Sequence, residues 1–212
     1  MRPYVRLVLV ALMSVAVLGT AVESASATRV AILNWEKNFR FRVFGFKFVP
    51  NSFLPIQCDI DIGMRFTGHI IEKRTGRLLG RAESVTVTRC TGGTVSVLRE
   101  MLPWTLQYGS FTGTLPNIAS FTLLAVGAAI LILPREPAIS CLARTTEAEP
   151  LRIISTTSRE AGWLLQISTG RVDETTSIRL TGAFCELAGT GRVEGTGIIE
   201  TTEGRPPLAA LI

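Results

Sequence analysis

Residues 58–90 read CDIDIGMRFTGHIIEKRTGRLLGRAESVTVTRC, and the reading of this stretch decides the fold. Cys58, Ile60, Ile62, Met64, Phe66 and Ile70 fall on one face of an extended chain, with Asp59, Asp61, Arg65, Thr67 and His69 on the other. Period two sustained over a dozen residues predicts a half-buried strand. Lys73-Arg74-Thr75-Gly76 supplies a turn, and the chain returns through Leu78, Val85 and Val87 to Cys90. The turn lies midway between the two cysteines, so a hairpin folded there brings Cys58 to Cys90. The return strand carries its apolar residues at odd positions, which would leave Cys90 on the wrong face unless a bulge near Arg89 shifts it.

Working outward, Phe39 to Phe48 (FRFRVFGFKF) alternates aromatic and basic residues. Phe39, Phe41 and Val43 share one face, and Phe44, Phe46 and Phe48 continue the apolar set one residue out of step. A bulge or bend near Val43 to Gly45 is therefore expected. On the other side of the hairpin, residues 90–117 hold a Gly-Gly pair, two Leu-Pro breaks, and Trp104, Tyr108 and Phe111 between short β-like runs. Val95 and Val97 start a strand, Pro103 interrupts it at an edge or bulge, and Trp104, Leu106 and Tyr108 resume it. Trp104 and Tyr108 read as core and rim residues, with ligand or surface contact as the other reading for them and the reading for Phe111.

Ile118 to Leu133 (IASFTLLAVGAAILIL) is the most apolar stretch after the N-terminal segment. It falls short of the roughly 20 residues that span a bilayer, so one long or two short buried strands are expected, with membrane contact disfavoured. Strands are also expected over Leu151 to Thr156, Trp163 to Ser168 and Thr175 to Thr181, and the Gly-rich run Gly189 to Gly197 leads into Ile198 and Ile199. The apolar tail from Leu208 fits a last strand. No helix of ordinary length stands out, and short strands every ten residues or so with Gly and Pro turns predict an all-β antiparallel sandwich or barrel.

Residues 1–27 carry Arg2 and Arg6, an apolar run from Leu7 to Leu18, and Ala25-Ser26-Ala27, the order of a secretory signal peptide cleaved after Ala27. Residues 28–212 then form a single all-β domain, with a duplicated unit whose halves meet near 118–140 as one reading. The four cysteines, Cys58, Cys90, Cys141 and Cys185, are even in number in an exported chain and have no C-x-x-C spacing. They point to two disulfides; of the three connectivities, the sequence-local one, Cys58 with Cys90 and Cys141 with Cys185, is favoured. The destination is a secreted or cell-surface protein.

Several chemistries are excluded or weakened by composition. His69 is the sole histidine, so multi-histidine metal sites are out, and any Ser-His-Asp arrangement would need that residue. Gly109-Ser110-Phe111-Thr112-Gly113 has its serine at the wrong position for a nucleophile elbow. No Walker loop or G-x-G-x-x-G is present, and no cofactor is expected. The formal net charge of +5 comes from singly scattered arginines, which does not favour nucleic acid. Asp59 and Asp61 share a strand face about 7 Å apart, enough to keep a carbohydrate-active reading open, although solvated charge is the simpler one.

The signal segment, the cysteine opening CTGGTVSVL, then LPW, SFTGTLPNI and a late cysteine pair together resemble a group of exported proteins of unknown function from actinobacterial genomes. The likeness covers most of the chain after residue 27 and is densest from Cys90 to Ile118. It implies export and a β-rich fold, and it implies no activity. The expected function is thus a non-catalytic structural or binding module, its ligand unassigned. The runner-up is a binder of apolar ligand or membrane surface through residues 118–133 and 39–48.

Overall fold

The computed structural model describes residues 29–32, 37–50, 55–114, 117–135, 140–159, 165–172, 177–182, 185, 190–205 and 207–211. The expected signal segment, Trp163 and Gly189 lie outside them. Fifteen strands make up the described residues. They are β1 (Arg29–Ile32), β2 (Asn38–Pro50), β3 (Ile56–Phe66), β4 (Ile70–Glu72), β5 (Leu78–Thr91), β6 (Gly93–Val97), β7 (Trp104–Thr114) and β8 (Asn117–Val126). Then come β9 (Ala129–Pro134), β10 (Cys141–Arg144), β11 (Leu151–Arg159), β12 (Leu165–Val172), β13 (Ser177–Thr181), β14 (Thr190–Thr201) and β15 (Leu208–Leu211). A single 3-10 turn, Arg99–Met101, is the only helical element among them.

All pairings are antiparallel. Strands β2, β3, β5, β7, β8, β11, β12 and β14 follow one another round a curled sheet, and pairing of β12 with β14 brings the order back to its start. The seam between β5 and β7 is short, running from Leu78 to Ala82 only. Beyond it a second sheet, β13-β10-β9-β6, extends from β14. Ala128 just before β9, Ile130 of β9 and Ala143 of β10 thereby meet the inner faces of β2, β3 and β5. The fold is thus a curled antiparallel sheet with a second sheet across it, stapled by Cys58–Cys90 and Cys141–Cys185.

The core follows the period-two pattern: Phe39, Phe41 and Val43 of β2, Ile60, Ile62 and Met64 of β3, and Leu106 and Tyr108 of β7 are all buried. One small apolar space of about 40 Å³ lies beside Phe41, Val43, Ile60 and Ile62, with Trp104 and Ile153 also lining it. Ligand pockets for small molecules run to about 300–1,000 Å³.

Both expected bulges are present and they face each other across β3. Register on β2 slips between Val43 and Phe46, where Gly45 takes φ +65°. On β5 the register slips opposite Cys58, where Arg89 takes φ +48° and turns Cys90 toward its partner. Residues 118–133 form two strands, β8 and β9, with Gly127 at φ +77° between them. β8 lies between β7 and β11, whereas β9 lies between β6 and β10.

Three expectations need correction, and one unassigned stretch is resolved. Val95–Val97 and Trp104–Tyr108 are not one strand broken by Pro103: β6 is the end strand of the second sheet and β7 belongs to the curled sheet. The first long strand ends at Phe66, just before Thr67-Gly68, so Ile70 belongs to β4 and His69 sits half-buried in the bend between them. The Gly-rich run, to which the sequence assigns no element, is strand from Thr190 onward. Glycine is used there for close approach, because a Cβ at Gly197 would lie 2.1 Å from the Arg42 carbonyl oxygen. Finally, Phe44 does not join Phe46 and Phe48 in the core, as described below.

Tyr108 gives the fold a pH dependence. Burial pushes its phenol above the ordinary value, partly offset by a backbone hydrogen bond with Phe111. The proton is then held more tightly in the folded than in the unfolded chain. The associated stability is complete below the unfolded pKa of about 10 and declines as pH rises from there through the folded value. Urea midpoints measured at about pH 8 and at about pH 11 should fall further for the wild-type chain than for Tyr108→Phe; identical falls would contradict this.

Candidate ligand-binding groove

The outer faces of β14, β2, β3 and β5 carry the side chains that the inward pattern leaves over. In register, Glu200 stands opposite Arg40, Arg40 opposite Gly63, and Gly63 opposite Ser84. The next row reads Ile198, Arg42, Asp61, Thr86. Arg40, Arg42, Asp61, Gly63, Ser84 and Thr86 of these rows line an open groove of about 700 Å³, with Glu200 and Ile198 beside it on β14. Glycine at position 63 lowers the floor, and the Ser84 hydroxyl occupies the space a Cβ there would need, 2.3 Å away.

The ion pairs in the groove are diagonal. Arg40 bonds to Asp61 instead of Glu200, and Arg42 bonds to Glu200 at 2.6 Å instead of Asp61. Diagonal neighbours on a sheet are within reach of long side chains, and crossing in this way leaves each of the four charges next to two of opposite sign. Asp61 holds the Arg40 guanidinium above its usual basicity, first through the hydrogen bond and then through charge.

Asp59 is positioned by both bulges. The Gly45 N–H, freed from the ladder by the β2 bulge, donates to Asp59 Oδ1 at 2.9 Å. Arg89, at the β5 bulge, reaches Asp59 Oδ2 at 2.5 Å. The bulge that brings Cys90 to Cys58 thus also places a guanidinium over the groove.

The β2 bulge has a second consequence. Gly45 is the extra residue, in register with no residue of either neighbouring strand, and Phe44 before it stays on the outer face opposite Thr196, 49% exposed, on the wall of the groove. Ile198 of β14, 42% exposed, lies on the same face one row away. Sequence periodicity missed Phe44 because the slip in phase does not say which residue is expelled. The signal that could have found it is Gly45: a positive φ is easiest at glycine, so the bulge centres there and the residue before it is turned out.

The other expected positions lie elsewhere. Trp104, Tyr108 and Phe111 are 4%, 2% and 7% exposed and belong to the core. Tyr108 packs edge-on against Phe111, with ring centroids 6.0 Å apart. The aromatic and basic residues of 39–48 are split between faces, with Phe39, Phe41, Phe46 and Phe48 inside. Outside, Lys47 pairs with Glu194 at 3.1 Å, beside the arginine pairs already described. In 118–133, Ile118, Phe121, Leu123, Ala125 and Ile132 are buried. No helix of the described residues is long and apolar enough to cross a membrane. Among those residues no group of three or more His, Cys, Asp or Glu is gathered as a metal site would require.

Comparison with family models, curated proteins and solved structures gives no match.

Proposed function

We propose that the chain is an exported, non-catalytic binding module, secreted or held at the cell surface, that works through the groove on the outside of β2, β3 and β5. The observation that carries this reading is the open groove of about 700 Å³, lined by paired charges and by hydroxyls. Export rests on the N-terminal sequence pattern together with two disulfides, the cysteine state of an oxidising compartment. The non-catalytic reading rests on the carboxylates: Asp59 and Asp61 are each bonded to a guanidinium, so both are already engaged in ion pairs.

The reading is tested by expression with the N-terminal segment intact, followed by sequencing of the exported product and titration of residues 28–212 with a fluorescent fatty acid and with anionic vesicles. A product beginning at Thr28 and no saturable binding of either probe are expected. A retained Met1 would contradict export with cleavage. Saturable fatty-acid binding would return the function to the interior and to the apolar alternative.

A further inference from the structure

We infer that the ligand of the groove is a neutral glycan chain. The inference rests on the groove being the working face and specifies the chemistry of what it holds.

The charge balance comes first. The groove is lined by three guanidiniums, Arg40, Arg42 and Arg89, and three carboxylates, Asp59, Asp61 and Glu83. Each has a partner of opposite sign: Arg40 with Asp61, Arg89 with Asp59, Arg42 with Glu200 and Glu83 with Arg65. A site for a phosphate, a sulfate or an acidic polymer would carry unmatched positive charge, and a site for a basic peptide the reverse. Here the field is cancelled locally while the donors and acceptors remain, fixed in place by their mutual bonds. Such a surface suits a ligand with no charge whose groups both donate and accept, which is the chemistry of sugar hydroxyls.

The wall of β5 adds hydroxyls of the same kind. Ser84, Thr86 and Thr88 alternate along its outer face, all exposed and all on the groove. Opposite them stands Phe44, an exposed aromatic ring beside a polar floor. A sugar ring offers an apolar C–H face and a hydroxylated rim, and a flat aromatic next to bidentate polar groups matches both. The groove is open along the sheet instead of closed into a cavity, so a chain can lie in it with further residues running out at either end. The cystine and the two bulges hold this face in shape before ligand arrives, which limits the ordering cost of binding.

The test is affinity electrophoresis of residues 28–212 in gels containing neutral polysaccharides (a β-glucan, a mannan, a galactan), with hyaluronate and heparin as anionic arms and chitosan as the cationic arm. At least one neutral polysaccharide should retard the protein, equally at about 50 mM and about 500 mM salt, since no net charge is matched. Phe44→Ala should weaken the retardation about tenfold, the loss of one interface anchor, with circular dichroism unchanged because the ring is outside the core. Retardation only by heparin, hyaluronate or chitosan, fading with salt and lost in a Thr86→Trp variant that plugs the groove, would overturn the neutral-glycan inference and leave the groove as the working face. Retardation by no polysaccharide would overturn the inference, and retardation unaffected by Thr86→Trp would take the groove reading down as well.

Discussion

Phe41→Ala is expected to lower the unfolding free energy by about 3–5 kcal/mol, whereas Phe44→Ala, three residues away on the same strand, should change it by less than about 0.5 kcal/mol. Phe41 is 0% exposed and stands in register between Ile199 of β14 and Ile62 of β3, beside the small apolar void. Truncating it removes a large apolar surface and enlarges a space that the surrounding sheets cannot collapse into. A domain of this size is stable by only about 5–15 kcal/mol, so the loss would be visible directly in the urea midpoint. Phe44 is turned out by the bulge at Gly45 and makes no comparable contribution. Equal losses for the two variants would mean that the bulge is misplaced and that Phe44 packs inside.

The second large effect concerns the later cystine. Replacing Cys141 and Cys185 together by alanine should cost about 4 kcal/mol, the chain-entropy value for a loop of this length, the cysteines being 44 residues apart. The loss should be concentrated in the second sheet. Strands β10 and β13 meet over only three registered pairs, Leu142 to Arg144 against Arg179 to Thr181. The cystine is thus a main tie between them. Cys58–Cys90, in contrast, lies in the long β3–β5 ladder that runs from Gln57 to Phe66. Amide hydrogen exchange should therefore rise first in β10 and β13 when Cys141–Cys185 is removed, and should stay low in β3 and β5. Uniform acceleration through both sheets would show that the second sheet has no separate dependence on that bond.

Much of this architecture was legible in the sequence because strands with one buried face write their alternation directly. The run from Cys58 to Phe66 gave strand, face and phase together, and the mismatch in phase at Val85, Val87 and Cys90 gave the Arg89 bulge. The cystine pairing followed from the position of the turn at Lys73 to Gly76. What local pattern does not encode is which strands become neighbours. The assignment of β8 to one sheet and β9 to the other depends on the Gly127 turn and on long-range pairing, and the run 118–133 is uniformly apolar on either account. The Gly-rich segment before Ile198 shows no alternation that would mark it as strand. At Gly197 the reason for glycine is the Arg42 carbonyl of the neighbouring strand, which only the fold supplies.

The groove was half legible. Asp59 and Asp61 were visible as a shared face, and the two arginines of β2 as another. That they interlock depends on the β2–β3 and β2–β14 registers, which bring Arg40 and Arg42 between Asp61 and Glu200. The carboxylates that suggested sugar chemistry at first sight are therefore better suited to holding a ligand than to cleaving one. Trp104, Tyr108 and Phe111 drew attention as a dense aromatic cluster, and density of aromatics in a β protein reflects its core more often than its site.

The measurement that bears most directly on the groove as the working face is an amide chemical-shift map of residues 28–212 titrated with short neutral oligosaccharides and, separately, with a fatty acid. The account predicts that the oligosaccharide shifts the amides of Arg40 to Phe44, Asp59 to Asp61 and Ser84 to Arg89, and that the fatty acid leaves the spectrum unchanged. Shifts centred instead on Phe121 to Ala125 and Ile153, produced by the fatty acid alone, would contradict it.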